Sequence, residues 1–534
     1  MKKITFLGAF FLMVTNLFAT DYYVKTGGVN NDTGGTTEET AFGTLAHAYT
    51  KAVDGDTIYI VGAISQTSQI SILKTLTFIG MNEAVITGDT ARLYVIPNAS
   101  NGVTISGKTF SFSNITFKDV DCITTGSNGF GAVAFMGGDN NLSFTNCTFL
   151  NNQTVGNGGA LSVEKGNLTI TNCTFTGNIA AGQGGAINLI GAAKILTITN
   201  SVFSGNSADN GVGGAIFAVG NSTTPDSYII SVSNSLFVGN SSTKAPVAPA
   251  TTRNANGGAI HVSNNLRQAL ISSCTFNNNT TDLQGGALYF AGSNATSKLT
   301  NITCFGNKVT LADAVSNRGA GIRVEGERTF VIENSLAYGN LQGTNDLLTA
   351  VASDLGVAGK VATVPPATPI NGVLITLTNS LFGASGGLDD NDTNGTSNIA
   401  ANLSSSNLTY DTTIKKVTYN APTVTGENSP IDFGSDGKDA GAWDSGLTLS
   451  VKDNVFAADF SVSYDSKTKN LRVLHSNSDS VSLEIYNIMG SKVLSRKNAN
   501  KEENISSSSL QSGVYILVAK GSGNKSFAKK FVIN

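Results

Sequence analysis

The chain has 534 residues, too many for one compact globule and enough for an extended solenoid plus a small domain. Only 13% of residues are charged, glycine is abundant at 59 and proline scarce at 9, a composition that suits short strands and tight turns and excludes long amphipathic helices. A net charge of −3 gives no basic footprint for nucleic acid and no electrostatic reason to bind an anionic membrane.

Residues 1–19 read as a secretory signal peptide. Lys2 and Lys3 precede the apolar run Ile4–Val14, and Leu17-Phe18-Ala19 ends in a small residue suited to cleavage after Ala19 or Thr20. The run falls short of the about 20 residues that span a bilayer, and no other stretch reaches that length, so no transmembrane span is expected. Next come Asp21-Tyr-Tyr-Val24, Ala41-Phe-Gly-Thr-Leu45 and Gly55-Asp-Thr-Ile-Tyr-Ile60. Together they resemble the first coil of pectate-lyase-type β-helix proteins. The resemblance implies an N-terminal cap over about 20–60, with an extended strand and a short helix near Leu45–Val53 closing the end of a solenoid.

From about residue 110 one unit recurs. Its clearest copy is Asn167-Leu-Thr-Ile-Thr-Asn-Cys-Thr-Phe-Thr-Gly-Asn178, followed by Gly184-Gly-Ala-Ile-Asn-Leu189. Phe149, Phe203, Phe237 and Phe276 repeat Phe175. Each is followed three residues later by asparagine: Asn152, Asn178, Asn206, Asn240 and Asn279. Gly-Gly-Ala recurs from Gly158, Gly184, Gly213, Gly257 and Gly285. The spacing lies near the about 20–45 residues of solenoid repeats. Leu168 and Ile170 alternate with Thr169 and Thr171, the period of a half-buried strand. Such a coil cannot bury its apolar face alone, so copies must stack, each strand about 4.8 Å from its equivalents.

Aligned copies give three columns. The first is Asn114, Asn146, Asn172, Asn200, Asn234, Asn301, Asn334 and Asn379, with Ser273 once. The second is small: Cys147, Cys173, Ser201, Ser235, Cys274, Ser335 and Ser380, interrupted by Ile115 and Ile302. The third is Phe117, Phe149, Phe175, Phe203, Phe237, Phe276 and Phe382, with Cys304 and Ala337 in weaker copies. Stacked asparagines predict an amide hydrogen-bond ladder, stacked phenylalanines a core, and paired glycines a sharp corner. The five cysteines, Cys122 included, match no zinc spacing, and at least three belong to the small column, a structural role. Cys147 and Cys173 fall on adjacent coils, where a disulfide and two free thiols both stay open.

The Gly-Gly-Ala-[Ile/Leu] element with Phe-x-x-Asn resembles, over about residues 110–340, the polymorphic outer-membrane protein repeats of bacterial autotransporter passengers. With the first coil, this implies an all-β chain whose residues 20–448 form a right-handed parallel β-helix, and it points to surface adhesion. The membrane barrel of those relatives is not expected here, so their export route does not carry over. Ser429-Pro-Ile-Asp432 with Asp439-Ala-Gly-Ala442 resembles the closing coil of bacterial β-helix proteins, placed at about 429–443.

The second residue after each Gly-Gly-Ala should face outward: Ser162, Asn188, Phe217, His261 and Tyr289, with Arg323 from the degenerate copy Gly319-Ala-Gly-Ile322. Stacked, they make a line that either binds an extended sugar chain or protein strand, through Asn188, Phe217, His261, Tyr289 and Arg323, or merely stabilises cross-strand neighbours. Asp389, Asp390 and Asp392 form either a calcium loop or a solvated turn among Gly386, Gly387 and Gly395. Calcium is thus the one cofactor considered. β-Helix lyases need calcium-binding carboxylates with an Arg or Lys base, and hydrolases need paired carboxylates. Neither constellation is legible, and His47, His261 and His475 have no partner histidine at ligand spacing.

Beyond Leu449 charge rises and the repeat stops. Leu483-Glu-Ile-Tyr-Asn-Ile-Met-Gly490, Leu510-Gln-Ser-Gly-Val-Tyr515 and Lys529-Lys-Phe-Val-Ile533 together resemble the type A sorting domain of the type IX secretion system. That resemblance implies an immunoglobulin-like β-sandwich over 462–534 after a linker at 449–461, with the secretion machinery as partner. Asp465-Ser-Lys467 stands where that family carries Pro-Asn-Pro. The expectation is a secreted or surface protein of a Gram-negative bacterium that binds a glycan or a host surface protein. A polysaccharide lyase or hydrolase and a passive spacer are the alternatives.

Overall fold

The computed structural model describes residues 19–123, 129–220, 229–243, 255–263, 266–291, 297–310, 318–325, 329–343, 351–358, 374–378, 380–382, 385–386, 398–399, 408–411 and 416–419, then 460–465, 470–475, 481–487, 492–499, 501–506, 510, 513–520 and 526–533. The signal segment before Ala19, Asn379, Asp389, Asp390, Asp392 and the segment 429–443 lie outside these residues. The chain divides into two compact units, Met1–Leu447 and Thr448–Asn534.

The first unit is a parallel β-helix. At its start the strand Asp21–Lys25 pairs in parallel with Thr57–Gln66, and the helix Leu45–Lys51 lies beside them. Thr44 caps that helix by accepting the His47 amide, leaving Leu45 and Ala48 buried with Val24, Phe42 and Ile58.

Each repeat then supplies four short strand segments. One copy contains Leu161–Val163 and Asn167–Thr171, which are the two ends of one strand bent at Gly166, then Thr174–Thr176 and Ile179–Ala180. Each pairs in parallel with its equivalent one repeat later: Leu161 with Ile187, Thr169 with Thr197, Phe175 with Phe203, Ile179 with Ser207. This register sets like on like. The rings of Phe149, Phe175, Phe203, Phe237 and Phe276 stack nearly parallel with centroids 4.3–4.8 Å apart, all buried.

Two asparagine columns run up the solenoid, and they differ. Those of the first column occupy left-handed backbone at a corner, with φ of 49–58° from Asn114 to Asn334 and 51° at Ser273. Asparagine tolerates that conformation better than other non-glycine residues. The buried ladder is instead the Phe-x-x-Asn set. Asn152, Asn178, Asn206, Asn240, Asn279, Asn307 and Asn340 are fully buried. Each Oδ1 from Asn178 onward accepts both the backbone N–H and Nδ2 of the asparagine one coil earlier, at 2.8–3.1 Å. Each Nδ2 also donates to a carbonyl of the preceding coil, as Asn178 does to Phe149.

The small column works similarly. Cys173 Sγ, Ser201 Oγ and Ser235 Oγ accept the amides of Cys147, Cys173 and Ser201. None of the five cysteines forms a disulfide, and all are buried. Among the described residues, the last member of the fourth column of strand segments is Val351–Ala352, which pairs antiparallel with Leu341–Gln342.

In the second unit, Phe460–Asp465, Asn470–His475 and Glu502–Ser506 form one antiparallel sheet. Lys492–Ala499, Val481–Asn487, Gly513–Lys520 and Ser526–Ile533 form another. Leu471, Val473 and Ile505 from the first pack with Leu483, Ile485 and Leu517 from the second in one small core.

Candidate functional site

The structure stacks the row expected to face outward: Ser162 on Asn188, Asn188 on Phe217, Phe217 on His261, His261 on Tyr289, Tyr289 on Arg323. It does point away from the core, but it is not exposed. Asn188 is fully buried, and Phe217, His261, Tyr289 and Arg323 are only 5–6% accessible. One cause is the paired-glycine turn. A Cβ at Gly257 would lie 2.9 Å from the His261 Cβ, and one at Gly285 would lie 2.7 Å from the Tyr289 Cβ. The glycines let the turn close against the row.

The row's members also engage one another. Asn188 Nδ2 donates to Ser162 Oγ at 3.0 Å, and the His261 ring lies 5.3 Å from Phe217 and 4.7 Å from Tyr289. The Tyr289 hydroxyl donates to Glu325 Oε2 at 2.6 Å, and Arg323 Nε and Nη2 reach Glu325 Oε1 at 2.9 and 2.6 Å. The expectation that this row lies open to solvent is therefore corrected: these side chains form a mostly covered cross-strand row.

The open surface lies on the neighbouring strand column, where alternation turns alternate residues outward. Ser111, Ser143, Thr169, Thr197 and Ser231 are in register, as are Ser113, Thr145, Thr171, Thr199 and Ser233. Every one of these is at least partly accessible. The exposed corner asparagines Asn114, Asn146, Asn172, Asn200 and Asn234 add a third column beside them. Asn146 and Asn172 donate through Nδ2 to the Oδ1 one coil back at 3.2 Å, and Ser143 Oγ donates to Ser111 Oγ at 3.1 Å. The grid spacing is about 4.8 Å between coils and about 6.6 Å between alternate residues.

The strands at 109–113, 141–145, 167–171, 195–199, 229–233 and 268–272 contain no Asp, Glu, Lys or Arg. Ion pairs bound this neutral stretch: Lys108 to Asp54 at 2.6 Å on one side, Lys298 to Glu333 at 2.8 Å on the other. At the N-terminal edge, Asn114, Asn146, Thr116, Ala84 and Glu83 line an open depression of about 580 Å³. Among the described residues no group of three or more His, Cys, Asp or Glu is placed to hold a metal.

Residues 467–534 match the secretion system C-terminal sorting domain family. Residues 146–164, 172–189, 200–219 and 273–291 match the Chlamydia polymorphic membrane protein repeat. The chain is thus a repeat-built parallel β-helix that carries a type IX secretion sorting domain at its C-terminus, and it is directed to the cell surface or the extracellular space through that machinery. A comparison with curated proteins returned no match. Among solved structures, the tailspike protein 3 of bacteriophage CBA120 aligns at 14% identity with a TM-score of 0.30, covering 77% of this chain and 68% of the tailspike. No helix among the described residues is long and apolar enough to cross a membrane.

Proposed function

We propose that this protein is an adhesin-like binder of extended glycan, displayed or released at the outer surface of a Gram-negative bacterium. The observation that carries the reading is periodicity. Outward hydroxyl and amide groups repeat coil after coil on one face, and a periodic surface suits a polymer better than a single small molecule. Short, stiff Ser, Thr and Asn side chains lose little entropy on binding, so weak hydrogen bonds accumulate along the polymer. A glycan array probed with the full chain tests this: selective retention of oligosaccharides or polysaccharides supports it, and no glycan bound refutes it.

A second reading, a polysaccharide lyase or hydrolase, rests on the resemblance of the first coil to pectate-lyase-type β-helix proteins. It requires glycan consumption, with an unsaturated product for the lyase. Binding without consumption leaves the adhesin reading alone.

A further inference from the structure

The binding reading leaves the ligand class open. Resting on that reading, we propose that the hydroxyl–amide face centred on Thr171 and Thr199 docks an uncharged polysaccharide, lying against successive coils with its hydroxyls paired to those of the protein.

The argument begins with charge. Six successive strands expose no ionisable side chain on this column, although 13% of the whole chain is charged. An acidic polysaccharide laid there would surrender hydration of its carboxylates with no cation on these strands to receive them. A neutral polymer surrenders only hydroxyl hydration. Serine and threonine hydroxyls both donate and accept, and so does each asparagine amide, which matches the dual character of sugar hydroxyls. The flanking pairs Lys108–Asp54 and Lys298–Glu333 satisfy their own charges, so neither of these lysines is a free cation for a polyanion.

Geometry adds reach and rigidity. Five coils carry the complete three-column pattern, a span of about 20 Å at the coil spacing. The backbone beneath is held in register by unbroken parallel pairing. β-Branched threonines have few rotamers to lose. The depression beside Asn114 and Asn146 continues the asparagine column and gives the polymer a recess at one end of the face.

The experiment is sedimentation of the full chain with insoluble neutral polysaccharides (cellulose, chitin, β-1,3-glucan) and with polygalacturonate beads, at low and high salt. Two variants accompany it. Thr171→Val with Thr199→Val keeps the strand shape and removes two hydroxyls, and Thr171→Arg with Thr199→Arg blocks the face. Thr176→Arg, on a different outward column, serves as control, and thermal melting checks that all remain folded. The expected result is salt-independent retention on at least one neutral polymer, weakened about tenfold by the valine pair and abolished by the arginine pair, with the control unchanged. Retention on a neutral polymer that survives both pairs overturns the face but leaves the glycan-binding reading standing. Salt-sensitive retention on polygalacturonate alone overturns the neutral ligand class. Retention on nothing sinks both readings.

Discussion

Asn340 Nδ2 donates to Asp354 Oδ1 at 2.7 Å, and the Asn340 backbone N–H reaches the same oxygen at 2.9 Å. Asp354, fully buried, thus occupies the place that the next asparagine of the ladder would take. It arrives after the antiparallel segment Val351–Ala352, the last of the fourth column among the described residues. Asp354→Asn retains the accepting oxygen and should cost under about 1 kcal/mol, whereas Asp354→Ala leaves two buried donors unpaired and should cost about 2–4 kcal/mol. Asn240→Asp inside the ladder should be worse than Asp354→Asn. It places an oxygen where Nδ2 now donates to the Phe203 carbonyl and to Asn279 Oδ1. Denaturant melts of the three variants check the order.

The corner column makes a different demand. Asn200 holds φ at 52°, so Asn200→Gly should be nearly neutral and Asn200→Val should destabilise by about 1–2 kcal/mol. Equal effects in thermal melts would mean that the side chain, not the backbone, matters there.

These two columns mark what the sequence makes legible. Identical residues at a fixed repeat announce stacking, and the phenylalanine stack and the parallel register follow directly. Alternation assigns Thr169 and Thr171 to the outer side and Leu168 and Ile170 to the core. It does not say which asparagine column is buried, because a backbone-capping amide and an exposed corner amide recur at the same interval. Nor does it say what lies over an outward residue: His261 and Tyr289 point away from the core yet sit beneath their own glycine turns. The neutral face emerges only once the coils are set in register, since each Thr-x-Thr taken alone is an ordinary half-buried strand.

The glycine turn yields its own prediction. Gly257 has φ of 70°, and an added Cβ would lie 2.5 Å from the Ile260 carbonyl oxygen as well as 2.9 Å from the His261 Cβ. Gly257→Ala should therefore destabilise by more than about 2 kcal/mol. The combination with His261→Gly should recover part of that loss, measurable as a double-mutant coupling.

Burial pushes the Cys274 thiol from its ordinary 9.0 up to about 12. The folded chain keeps a proton that the unfolded chain releases above pH 9. The associated stability is therefore complete below about pH 9 and is lost as pH rises from 9 towards 12, at up to about 1.4 kcal/mol per pH unit. Serine fills the same column at Ser201 and Ser235, so Cys274→Ser should fold normally at neutral pH and lose stability less steeply above pH 9. Parallel alkaline unfolding curves for the two proteins would contradict this. The thiol should also resist alkylation until the β-helix unfolds, because the thiolate is the reactive form.

Export rests on the last unit. Its two antiparallel sheets share a core of Leu471, Val473, Leu483, Ile485, Ile505 and Leu517, supplied by strands from both ends of the segment, so truncation from either side removes core residues. Deleting residues 462–534 should leave a folded β-helix trapped in the periplasm, recovered by osmotic shock and missing from the cell surface and medium. Leu483→Asp should do the same through unfolding of the unit, since it places a charge in a fully buried position. A surface change such as Lys501→Ala should export normally. Undiminished export of the deletion would mean that the passenger itself is recognised, and would separate the match at 467–534 from the route the protein takes.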